Sequence, residues 1–303
     1  MELSHEDKLS VPYTFGELFV GVLAIGGNAL VCVAVLKTRS LKTVTNLFLV
    51  SLAIADVLVG LVVIPSNILT HIGLPKHHFI PCVLMVSSIV VFNLSSIFSL
   101  LAISVERYIA IFNPFRYQVL VTWRNALITI FFTWILSFII GLIPAMGWNN
   151  GPTADGSCIF VLIIDLSFKV YFIFFGCVLV PLFIMIMIYL RIFMEVRRQL
   201  RALSSSRTMK KEMKTATSLF LVLFLFIVCW IPVQIMDSIF FFCPTCTLPL
   251  TFMSLAIILC HANSVVNPFL YALRMRSFRR AFIDILLCRS TGRSGSEQVQ
   301  AVQ

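Results

Sequence analysis

Charge is what this sequence has least of. Only 12% of its 303 residues are Asp, Glu, Lys or Arg, about half of the roughly 25% found in soluble globular domains. That scarcity excludes a free water-soluble domain, and a hydrophobic content of 59% points to a chain that lives in lipid. Other absences narrow the class. There is no H-E-x-x-H, G-x-S-x-G or P-loop pattern, and the few carboxylates in apolar runs are scattered over different segments, so no enzyme is expected. No internal repeat is visible, which weighs against a transporter built from duplicated halves. The opening "MELSHEDKLSVPY" has no basic stretch ahead of a short apolar core, so a cleaved signal peptide is not expected.

What is present is seven apolar runs, near 14–37, 44–68, 79–112, 123–146, 168–195, 213–242 and 248–273. Each is long enough to cross a hydrocarbon core of about 30 Å, which takes about 20 helical residues. Nothing alternates like a barrel strand, and in lipid only helices or closed barrels satisfy the backbone. The expected fold is an all-α membrane protein: an extracellular N-terminus (1–13), a seven-transmembrane helix bundle (14–273), a short amphipathic cytoplasmic helix eight (274–288) and a cytoplasmic tail (289–303).

Of the 23 Lys and Arg residues, 20 fall in the first, third and fifth connections and the tail. That asymmetry places the N-terminus outside and the C-terminus inside, at the plasma membrane. The net charge of +10 therefore describes a basic face beside anionic lipid, with no nucleic acid implied. Helix eight carries Phe278, Phe282, Ile285 and Leu286 at helical spacing among basic residues, as a helix lying on the membrane surface would. Cys288 at its end suits palmitoylation, or is an idle thiol. Cys82 and Cys158 both fall on the outer, oxidising side, which favours a Cys82–Cys158 disulfide pinning the loop before run five to helix three. "CPTC" has no second ligand pair for a metal, so a Cys243–Cys246 disulfide is expected.

Ionisable groups at membrane depth are costly and mark cavities or partners. Here they are Glu17, Asp56 and His261, with Glu106 and Glu212 at inner helix ends. Together with "GN" (27–28), "LAIAD" (52–56), "ERY" (106–108), Trp134, "CWIP" (229–232) and "NPFLY" (267–271), they make the chain resemble the rhodopsin-like (class A) G-protein-coupled receptors along its whole length. The resemblance implies a sodium pocket of Asp56, Ser96, Asn263 and Asn267, with one carboxylate among neutral oxygens suiting a hard cation. A plain hydrogen-bond network is the alternative. It also implies a clasp of Arg107 with Glu106 and Glu212, and switches at Tyr189, Pro268 and Tyr271. Glu212 beside Lys210, Lys211 and Lys214 reads equally as solvated charge.

An amine receptor would carry an Asp where Ile89 stands, and an opsin a Lys where His261 stands. The stretches "IPAMGWNN" (143–150), "FFCPTC" (241–246) and "HANSVVNPFLYA" (261–272) are similar instead to the adenosine receptors, nearest the A2-type subgroup. That resemblance implies a Glu17–His261 pair beside a ribose site, Phe160 stacking on a purine and Trp230 as the pocket floor. The expected partners are a small nucleoside, a heterotrimeric G protein that changes cyclic AMP, arrestin, receptor kinases and membrane lipid. The only ion expected is allosteric Na+. Asp237 replaces the family's base-reading Asn, Val161 a Glu, Asn93 a Thr, Cys260 a Ser and Ile173 an Asn. A carboxylate only accepts where an amide also donates, so protonation of Asp237 is one way to restore the missing donor. A receptor for another small neutral ligand is the alternative reading.

Overall fold

In a computed structural model of the chain, residues 11–202, 207–243, 245–246 and 249–288 are described, and side chains at 199–220, 222, 223 and 250 lie outside that description. Among the described residues, seven helices are long and apolar enough to span a membrane. They are α1 (Val11–Lys37), α2 (Val44–His71), α3 (Phe79–Phe112), α4 (Trp123–Gly141), α5 (Phe168–Arg198), α6 (Arg207–Phe242) and α7 (Leu250–Arg274). An eighth, α8 (Arg276–Leu286), follows after a one-residue break at Met275. Among the described residues the only β pairing is a single bridge, Asn149 with Ile164.

Proline lies inside four of the spans, beyond their first turns: Pro65 in α2, Pro181 in α5, Pro232 in α6 and Pro268 in α7. Pro65 in α2 follows a π-helical turn at Val59–Val63, and Pro181 in α5 follows a longer one at Phe168–Leu179. A proline has no N–H and crowds the carbonyl four residues back, and a widened turn upstream relieves that crowding. In α7, Pro268 sits against α1 at Gly27, where a Cβ would lie 3.0 Å from the proline Cγ. Gly141 does the same service for α3 and α4: a Cβ there would meet Val91 Cγ2 at 2.4 Å. Small residues at such crossings let backbones approach where lipid supplies no hydrophobic drive between helices.

Side-chain hydrogen bonds then fix the register of the bundle. Trp134 Nε1 donates to Ser51 Oγ at 3.0 Å, joining α4 to α2. Asn28 Nδ2 donates to the carbonyls of Ala24 (2.9 Å) and Ser264 (2.8 Å), joining α1 to α7. At one end of the bundle, Cys82 and Cys158 are joined with Cα atoms 5.7 Å apart, and Cys243 and Cys246 at 5.4 Å.

The apolar face of α8 departs from expectation. Phe278 and Phe282 are buried against the bundle, Phe278 packing 5.5 Å from the ring of Tyr271, while Leu286 is exposed. The two phenylalanines anchor α8 to α7 and leave Ile283 and Leu286 as its exposed apolar residues, with Leu287 exposed just beyond its end. The tail from 289 onward and residues 1–10 lie outside the described residues.

Candidate functional site

Between the helices, at the end that carries the disulfides, lies a cavity of about 490 Å³, within the range of about 300–1,000 Å³ typical of small-molecule sites. Phe160, Trp230, Ile89, Asn93, Asp237 and His261 all line it, as do the departures Val161, Ile173 and Cys260. Glu17 does not line it. It stands behind His261, 0% exposed, with Oε2 at 2.8 Å from His261 Nδ1. The role of Glu17 is thus to orient and polarise the imidazole, each of two costly buried groups compensating the other.

Two residues that were not singled out in the sequence join this wall, Lys169 and Gln234. Lys169 lies in the first turn of α5. The Asp165 carboxylate starts that turn, accepting from Phe168 N at 3.0 Å and from the Ser167 hydroxyl. Partial burial pushes the Asp165 carboxyl up, but these hydrogen bonds outweigh it and hold it below its ordinary value. So started, α5 aims Lys169 across to α6. Its Nζ stands 2.9 Å from both oxygens of Asp237 and 4.6 Å over the ring of Phe160. Asp237 therefore meets a cation, and protonation is not needed to bring a donor beside it.

Only Oδ1 of Asp237 satisfies hydrogen-bond geometry with Lys169, so Oδ2 is close to the ammonium yet has no hydrogen-bond partner. Gln234 Oε1 and Trp230 Nε1 are likewise buried and unpartnered. A polar atom removed from water without a partner costs about 1–3 kcal/mol, and these last two leave open valences beside the cavity for a guest. At the mouth, Asp155 is held by Ser157, whose hydroxyl donates at 2.8 Å. That bond, with the backbone N–H of Ser157, brings the Asp155 carboxyl down to about 2.

Deeper in the bundle Asp56 is 0% exposed and accepts from Ser96 (3.0 Å), Ser264 (2.9 Å) and Asn267 (2.9 Å). Asn263 is buried nearby but is not among these partners, and Ser264 takes the place expected of it. The two neighbours project from adjacent positions of α7, and the helix phase there turns Ser264 to the carboxylate. At the far end Arg107 donates to Glu106 through Nε (2.6 Å) and an Nη atom (3.1 Å). Glu106 also accepts from Thr45 at 2.8 Å and Tyr117 at 2.5 Å. Burial and the bond to Glu106 push the Tyr117 phenol above its ordinary value. Tyr189 meets Ser104 at 2.6 Å, and Tyr271 is buried beside Phe278. The side chain of Glu212 lies outside the described residues.

Comparison with known proteins adds the lineage. The profile of the 7 transmembrane receptor (rhodopsin family) matches residues 27–271. Adenosine receptor A2a of Homo sapiens is 45% identical over 296 residues, covering 90% of this chain and 72% of that protein. Adenosine receptor A2b of Mus musculus is 42% identical over 328 residues, covering 99% and 98%. The A2b receptor of Gallus gallus is 43% identical over 312 residues, covering 94% and 92%.

Proposed function

The chain belongs to the rhodopsin family of seven-transmembrane receptors, among the adenosine receptors of the A2 type, and on that footing we propose that it senses adenosine or a closely related nucleoside at the cell surface. It signals through a heterotrimeric G protein to adenylate cyclase, with its N-terminus outside and its C-terminus in the cytoplasm. It is a receptor and not an enzyme.

The observation that carries this reading is the outer cavity itself, in which a flat aromatic surface and unpaired polar atoms converge. Phe160 offers a face for a planar base, Asp237 a buried acceptor, and His261 a polarised ring for sugar hydroxyls. The charged pair Lys169–Asp237 favours a second reading, in which a different small neutral molecule fills the same cavity.

Signalling is a population shift. A ligand must bind the active arrangement better than the resting one, since equal affinity for both shifts nothing. Arg107 is occupied by Glu106, and Asp56 gathers α2, α3 and α7, contacts that suit a resting arrangement. The Asp56 carboxylate and the Ser96 and Ser264 hydroxyl oxygens are a hard donor set that fits Na+. Bound sodium would supply positive charge that holds these helices together. Agonist contraction of the cavity weakens that network and frees Arg107 for the G protein. Receptor kinases and arrestin act afterward on the cytoplasmic face, and acylation of the exposed Cys288 would tether α8 to the bilayer.

The test is a cyclic AMP dose–response to adenosine in cells displaying the chain, with untransfected cells alongside. A rise supports the proposal with stimulatory coupling, and a fall keeps the ligand and reverses the coupling. A flat response with the receptor at the surface overturns adenosine as ligand and favours the second reading.

A further inference from the structure

We propose that Thr14 positions the Glu17–His261 pair. Through one bridging water its hydroxyl holds the second oxygen of the Glu17 carboxylate, and so steadies the imidazole that lines the cavity. The relay itself stands on the hydrogen bonding of α1 and α7. Its effect on ligands rests on the nucleoside reading, in which His261 meets sugar hydroxyls.

Glu17 is fully buried, and its Oε2 stands 2.8 Å from His261 Nδ1. Oε1 is buried with no hydrogen-bond partner. The terminal torsion of a glutamate is broad, so a carboxylate held at one oxygen can turn about its last bond and carry the ring with it. Thr14 Oγ1 is also buried and without a partner. The two residues are three apart on α1, and residues at that spacing share a helix face with Cβ atoms about 5–6 Å apart. No direct bond joins them, and one water can bridge such a gap because it bonds two to four polar groups. Thr14 donates to the water, and the water donates to Oε1. With Nδ1–H given to Glu17, the other ring nitrogen of His261 is an acceptor for a ligand hydroxyl.

Hydroxyls inside helices usually return to the backbone, and here Ser95, Ser104, Ser137 and Ser238 each donate to the carbonyl four residues back. Thr14 does not, and neither do Ser87 and Ser99 of α3. Of these three, Thr14 alone shares its helix with a carboxylate oxygen that lacks a partner, among the described residues. The turn that carries it is also held from two sides. Tyr13 accepts from Asn67 Nδ2 of α2 at 2.7 Å and stacks on His71, ring centroids 4.7 Å apart. Gly16 lies so close to α7 that a Cβ would meet Ile258 Cδ1 at 2.9 Å, three residues before His261. These contacts set α1 against α2 and α7, so the Thr14 hydroxyl keeps a fixed place beside the pair.

The experiment joins a stability cycle to a ligand comparison. Thermal unfolding of the solubilised full chain is followed for the wild type, Thr14→Val and Thr14→Ser, and for Thr14→Val placed on Glu17→Leu/His261→Ala. Thr14→Val should lower the midpoint of the wild type and leave that of the pair-less background unchanged, and Thr14→Ser, which keeps the hydroxyl, should behave as the wild type. Competition binding at the cell surface then compares adenosine with its analogue lacking both secondary sugar hydroxyls. Thr14→Val should weaken adenosine roughly 2- to 10-fold, the worth of one hydrogen bond, and leave the analogue unchanged. The relay is overturned if Thr14→Val is harmless in the wild type, costs as much without the pair, or is not rescued by serine. Equal weakening of both ligands overturns the positioning of His261 toward the sugar. If neither ligand binds the wild type, the nucleoside reading fails, and the stability cycle still decides the relay.

Discussion

Asp56 and Glu106 have both carboxylate oxygens hydrogen-bonded, whereas Glu17 keeps one oxygen without a hydrogen-bond partner and one oxygen of Asp237 meets the Lys169 ammonium only as an ion pair. These are the four buried carboxylates among the described residues. The first two lie in the middle and at the far end of the bundle; the partners of Asp56 come from α3 and α7, and those of Glu106 are the adjacent Arg107, Thr45 of α2 and Tyr117. The second two lie toward the disulfide end, one lining the cavity and one standing behind its histidine. A buried charge with both oxygens hydrogen-bonded internally acts as a fastener between the elements its partners come from. An unsaturated one is tolerated where something else completes it. The same residue type thus does two jobs, and its partners distinguish them.

The comparison can be broken most forcefully at the open end. His261→Ala removes the one side-chain hydrogen-bond partner that the fully buried Glu17 carboxylate has among the described residues, and stranding one member of a buried pair costs about 3–5 kcal/mol. Surface display and thermal stability of the solubilised receptor should fall steeply, and the double variant Glu17→Leu/His261→Ala should restore them. Agonist potency should stay low in the double variant. If display is already normal in His261→Ala, the pair is not a structural charge.

At the closed network, Asp56→Asn leaves a neutral side chain among Ser96, Ser264 and Asn267. Agonist binding to the wild type is expected to fall as NaCl replaces an organic chloride, by a coupling in the range of about 5- to 150-fold. In Asp56→Asn the binding should be independent of the cation. A wild type indifferent to sodium would leave Asp56 a fastener alone.

The smallest effect belongs to Tyr117→Phe, which deletes one of several donors to Glu106 and keeps the rest. A loss of about 0.5–1.5 kcal/mol should raise ligand-independent cyclic AMP signalling only a few-fold. A rise as large as that of Glu106→Gln would mean the carboxylate is not saturated in the way its partners indicate.

The spans, their number, the two disulfides and the pairing of Glu17 with His261 could all be anticipated from residue pattern and resemblance. Lys169 could not, because it reads as one lysine of an outer connection and its partner is 68 residues away. The cost of burying Asp237 was the available signal, since a carboxylate at that depth requires a cation and few lysines lie on that side. Gln234 gave only the weak signal of one polar residue in an apolar run, and spacing alone does not say that it faces the cavity. Asn263 and Ser264 are both polar and adjacent, and spacing alone cannot say which one the helix turns toward Asp56.

Composition and hydropathy determined that this chain crosses a membrane seven times, because lipid leaves a polypeptide little choice but to satisfy its backbone in helices of about 20 residues. Charge asymmetry and isolated polar residues marked where ligands and switches belong. Only the tertiary structure decided which of those groups are closed on one another and which remain open. Whether a buried oxygen is saturated depends on donors brought within about 3 Å from other helices. That proximity is a property of packing, through Gly27, Gly141 and the prolines of α2, α5 and α7. No local stretch of sequence contains it.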